Sequence, residues 1–219
     1  MSGFTASPRL IKGGIVLIDP DSAVVQRIIV LQYNPDTLSR TLQVQSVTAE
    51  SQNRSEALRL KGPPIETFKL EAEIDATDQL EQPDQNPNTV QFGIHPQLAA
   101  LETILYPPSS QLLGNNALAQ SGTLEIAPME APLSLFIWSR NRVVPVRITD
   151  FSVTEEAFDP QLNPIRAKVS LGMRVLSVDD LGFNDKGGNL FMTYQQQKER
   201  LSALAPPGTF SSLGIGGLP

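Results

Sequence analysis

Cysteine is absent from the 219 residues. That excludes a disulfide scaffold, a thiolate metal site and cysteine nucleophilic catalysis. Histidine occurs once, as His95 beside Pro96. Capping or surface exposure is its plain reading, because metal sites and catalytic triads need several convergent donors. No G-x-S-x-G nucleophile elbow occurs, and the pairs Gly13-Gly14 and Gly187-Gly188 sit in no dinucleotide or Walker pattern. Basic residues are in deficit: 17 Lys and Arg against 23 Asp and Glu, a net charge of −6. They are scattered, which argues against a nucleic-acid partner. No apolar run approaches the roughly 20 residues of a membrane helix, so direct membrane insertion is not expected. The first residues, MSGFTASPRLIKGG, lack the basic and apolar regions of a secretory signal. The expectation is a soluble protein assembled in the cytoplasm.

What is present is β structure around an affordable core, since 40% of residues are hydrophobic. The clearest stretch is Val143 to Leu176. Val144, Val146 and Ile148 alternate with other residues, and Phe151 and Val153 resume the pattern. The Asp159-Pro160 and Asn163-Pro164 pairs then favour a turn. Beyond it Ala167, Val169, Leu171, Met173 and Val175 share one face, while Arg166, Lys168, Ser170, Gly172 and Arg174 share the other. Phe68, Leu70, Ala72 and Ile74 alternate with Lys69, Glu71, Glu73 and Asp75, the pattern of an antiparallel sheet with one wet face.

Further strands are expected over Leu10–Asp19, Ala23–Tyr33, Leu38–Gln45 and Pro132–Trp138. The first two form a hydrophobic hairpin buried on both faces or packed on a neighbouring subunit. Ile94–Tyr106 reads as an amphipathic helix with Pro96 in its first turn. Asp78–Gln91 and Ser109–Ala131 read as loops by composition, and Thr48–Pro64 as an exposed loop or a short irregular helix. A second helix is expected over Leu190–Ala203, with Leu190, Tyr194 and Leu201 in a stripe. The Gly- and Pro-rich end, Pro206–Pro219, has too little apolar surface to order itself.

Catalytic readings find little support. The carboxylates Glu71, Glu73 and Asp75 suit a solvated strand face better than a glycosidase pair, which needs a cleft. Trp138 lies in the apolar strand PLSLFIWSR and reads as core, with a sugar-stacking platform as the rival.

Four segments carry a family resemblance: LQYNPDTLSR, ETFKLEAEIDAT, HPQLAALETILYP and PLSLFIWSRNRVVPVRITDFSVTEEAFDPQLNPIRAKVSLGMRVL. In this order they resemble the contractile injection system tube-protein family, relatives of phage tail tubes and baseplate hub adaptors. The resemblance spans about Leu10 to Leu176. Its most specific elements are Tyr33-Asn34-Pro35 and the run from Phe158-Asp159 to Pro164-Ile165-Arg166-Ala167.

It implies a mainly β fold, a barrel or sandwich of antiparallel strands with one packed helix. The implied division is a tube-like domain over 1–178, followed over 179–219 by a linker, a short helix and a flexible tail. The implied role is non-enzymatic and cofactor-free. It is a homo-hexameric ring joining the spike hub to the inner tube of a sheathed, phage-tail-like particle, released from the cell or anchored to a membrane. Adaptor members of the family carry a LysM module after this domain, and no such pattern appears here. That leaves the adaptor beside the spike, a second adaptor ring and the inner tube subunit open. The residues expected at assembly interfaces are Tyr33, Asn34, Glu155, Phe158, Asp159 and Arg166.

Overall fold

A computed structural model describes residues 11–46, 59–122 and 131–218. The expected strands form a single seven-stranded antiparallel sheet. They are β1 (Gly14–Ile18), β2 (Val25–Val30), β3 (Leu38–Gln43), β4 (Ile65–Asp75), β5 (Leu133–Ser139), β6 (Arg142–Phe158) and β7 (Pro164–Val175). Their spatial order is β2-β1-β5-β6-β7-β4-β3. The helices are α1 (Thr77–Leu80), α2 (Pro87–Phe92), α3 (His95–Glu102), α4 (Ser109–Gln120) and α5 (Lys186–Ala203).

The sheet curls. In a flat sheet β2 and β4 would stand five strand spacings apart, about 24 Å. Yet Gln32, two residues past the end of β2, clamps Asp75 at the end of β4. Its amide donates to the Asp75 carbonyl at 2.6 Å and accepts from the Asp75 N–H at 3.0 Å. Two residues and a side chain reach roughly half the flat distance, so the sheet rolls to bring these elements together. β3 pairs with β4 only from Gln43↔Ile65 to Leu38↔Leu70, which leaves the last residues of β4 without a partner strand on that side. The Gln32 side chain satisfies the backbone there, as a strand would.

Alternation sets the inner face. Phe68, Leu70, Ala72 and Ile74 of β4 meet Met173, Leu171, Val169 and Ala167 of β7 in register, and all eight are buried. Ile15, Leu17, Phe136, Val144 and Val146 complete this wall. α3 contributes Leu98 and Leu101, with Ile94 just before it, and α5 contributes Phe191 and Tyr194. Leu190 packs instead on a second cluster around Ile18, Leu133 and Leu135, and Leu201 is exposed. β1 therefore buries both faces, as expected of it.

Four expectations are corrected or narrowed. β2 is not buried within the chain: it is an outer strand, exposed along most of its length, which leaves only the alternative of packing on a neighbouring subunit. The stretch 78–91 is not a loop but holds two short helices and a 3-10 turn. The described part of Ser109–Ala131 is helical as α4. The expected helix over Ile94–Tyr106 is shorter, ending at Glu102. The loop or short helix read over Thr48–Pro64 falls largely outside the described residues.

Candidate assembly surfaces

The outward face of β4, β7 and β6 is a ladder of charge. Registers place Asp75 beside Arg166 beside Glu156, then Glu73 beside Lys168 beside Thr154, then Glu71 beside Ser170 beside Ser152. Acids on β4 and β6 thus flank bases on β7. Glu71, Glu73 and Lys168 are exposed, as the alternation requires. The Arg166 Nε donates to Asp75 Oδ2 at 2.8 Å and lies 3.9 Å from Glu73, and Lys168 lies 3.7 Å from Glu156. Burial raises the Asp75 carboxyl, but hydrogen bonds from Thr77 and from Arg166 outweigh it and hold the group below its ordinary range. Tyr33, Asn34 and the chain to Thr37 overhang this face and form an open groove with Glu71, Glu73 and Lys168.

The six residues expected at interfaces lie at one end of the sheet, around the Gln32–Asp75–Arg166 junction, and several are occupied within the chain. Tyr33 is exposed. Asn34 donates to the Ile11 carbonyl and accepts from Gly13 N–H, both at 2.8 Å, tying the start of β1 to the chain leaving β2. Glu155 is exposed opposite buried Ala167. Phe158 is half exposed opposite Pro164 at the hairpin tip.

Asp159 organises that tip. Its carboxylate accepts from the backbone N–H groups of Gln161 and Asn163 and from the Asn163 amide, all at 2.8 Å, while Leu162 takes a left-handed φ of 67°. The Asn163 side chain leads the causes that hold the Asp159 carboxyl low, against a smaller desolvation cost. Asn163 also reaches the Gln91 carbonyl, and the Pro164 carbonyl accepts from Ile94 N–H, which fixes the start of α3. At Gly93, φ is 58° and a Cβ would lie 2.2 Å from the Pro164 oxygen, so only glycine fits there.

The sequence reading missed one feature, Glu66, and left a second, β2, between two alternatives. Glu66 is 2% exposed on the inner face. It accepts from the Tyr194 hydroxyl at 2.8 Å and the Lys198 ammonium at 2.7 Å, and Arg40 stands 3.8 Å away. Desolvation first, then the bond to Glu66, pushes the Tyr194 hydroxyl well above its ordinary pKa. This buried carboxylate pins α5 to the sheet. Parity with Phe68 marks Glu66 as inward, a signal that a strand begun at Phe68 passes over. The second feature is β2. Val25, Ile28 and Val30, with Val24 just before them, are each more than half exposed on a strand that, among the described residues, has no neighbour on one side.

Trp138 is half-buried, its ring 5.9 Å from that of Phe136, and packs against the core. Among the described residues no group of three His, Asp or Glu side chains is placed to hold a metal ion, and no helix is long and apolar enough to cross a membrane.

No protein family model matches the chain, and no curated protein matches it. Among solved structures, a chain from the tail of an empty GTA particle, computed with helical refinement and C6 symmetry, is similar at a TM-score of 0.30. The identity is 14%, over 75% of this chain and 90% of that one. At that TM-score the likeness carries no assembly role over to this chain.

Proposed function

We propose that the chain is a non-enzymatic structural subunit of a phage-tail-like contractile injection particle. In this reading it forms a hexameric ring in the baseplate, joins the spike hub to the inner tube and starts the tube. One observation carries the reading: β2 presents exposed Val and Ile side chains on a strand whose outer edge is unpaired among the described residues. Monomers blunt such edges with charge, proline or a covering element. Here Gln26 and Arg27 interrupt the apolar residues, and Arg27, the strand's one charge, is turned to the Thr103 hydroxyl at 3.0 Å. A contact between unlike surfaces that closes on itself gives a ring. The outward charge ladder suits a wall against water, and its mixture of signs gives it no preference for a polyanion.

The test is reconstitution. The chain, the spike hub of the same particle and its inner tube protein are mixed and imaged. The adaptor reading expects one ring of this chain on each hub, and tubes that start from hubs so capped. Long tubes made of this chain alone would move the assignment to the inner tube subunit. Tube growth from bare hubs, with this chain bound nowhere, would overturn it.

A further inference from the structure

From Thr103 to Gly122 the chain carries no charged residue. At its centre α4 has no buried residue, and Leu112, Leu113 and Leu118 are 49%, 69% and 50% exposed. At about 100° per residue these leucines point in three directions around the axis, roughly 100–140° apart. A helix this short is marginal in water by itself and draws its stability from packing. One with apolar side chains on several sides fits between surfaces rather than upon one. α4 therefore calls for a concave, apolar seat.

The chain displays such a seat. A notch of about 580 Å³ is lined by Pro20, Ile104, Pro132, Leu133, Leu176 and Leu181, with Asp21, Arg147 and Asp185 also bordering it. It is open because β5 begins at Leu133 and pairs β6 only as far as Val146, while β6 runs on to Phe158. Ile104 and Ala131, which bracket the α4 segment in sequence, both line the notch, so the helix leaves the body from the notch's own rim. Donor helix and acceptor notch are different surfaces on one chain. A second copy is thus a partner that supplies both, and the contact is of the heterologous kind that closes rings.

We propose that α4 of one copy seats in the notch of the neighbouring copy and interlocks the ring. This rests on the ring reading above. The absence of cysteine makes the test clean. Two single variants, Leu113→Cys on α4 and Asp21→Cys on the notch, are mixed under whichever condition yields rings, the chain alone or on the spike hub. They are then treated with a short bis-maleimide. Both positions are exposed, so neither change disturbs the core. The proposal expects covalent pairs of unlike chains as the main product. It also expects the fraction of chain in rings to fall at least about ten-fold in Leu113→Glu/Leu118→Glu, with an unchanged circular dichroism spectrum.

Rings that form without cross-links between unlike chains would overturn the interlock and leave the ring reading standing. So would a Leu113→Cys/Asp21→Cys double variant that cross-links within one chain, since α4 would then occupy its own notch. A chain that forms no ring, alone or with the hub, would remove the ring reading and the interlock together.

Discussion

Glu66 shows most directly what single residues do here. A carboxylate 2% exposed is tolerable only with partners, and Tyr194 and Lys198 supply them from α5. Lys198→Met leaves the charge with Tyr194 and a more distant Arg40, and should destabilise by about 2–4 kcal/mol. Glu66→Gln keeps an acceptor for Tyr194, and Lys198 is partly exposed and can turn to water. It should cost less, about 1–2 kcal/mol. The Glu66→Met/Lys198→Met pair should recover much of the loss. Urea unfolding of the three variants checks the order. Asp75 adds a pH dependence. Its native pKa lies below the ordinary 3.8, so its contribution is complete above that value and drains away as acid protonates the folded carboxylate. Thermal unfolding of wild type and Asp75→Asn should differ at pH 7 and converge towards about pH 2. Curves parallel over that range would show that Asp75 is not held in this way.

At the scale of elements, the sheet end closed by Gln32 is open to a direct test. Gln32→Ala strips both partners from the Asp75 backbone and should cost about 1–3 kcal/mol. Hydrogen exchange at the Asp75 amide should quicken by more than exchange in the middle of β7. β6 and β7 were legible in the sequence because one face is dry and the other wet, and period-two alternation records that difference. The groove-side carboxylates Glu71 and Glu73 were legible for the same reason. For β2 the sequence left burial and packing on a neighbouring subunit both open, because composition reports that Val25, Ile28 and Val30 are apolar, and not what covers them. α4 was misread because its leucines spread around the helix and leave no stripe, and its Ser, Asn and Gln resemble a loop. The six residues expected at interfaces fall at one end of the sheet, a grouping that motif position alone does not show. Sequence did not reveal that Asn34, Asp159 and Arg166 are engaged with their own chain. Of the six, Tyr33, Glu155 and Phe158 keep the most freedom to meet another molecule.

At the scale of the whole molecule, the described residues form a rolled sheet with one charged wall, a core closed by α3 and α5, and apolar surface that none of them covers at β2 and α4. Such uncovered surface marks interaction sites. If β2 meets a neighbour in the ring, Ile28→Lys should abolish assembly without lowering the melting temperature by more than about 2 °C, since Ile28 already stands in water. The most direct measurement is the mass of the purified chain in solution by light scattering, with negative-stain images of the same sample, first alone and then with the spike hub. The account predicts closed rings of uniform mass, in the first sample or once the hub is added. A chain that stays monomeric in both samples would contradict it.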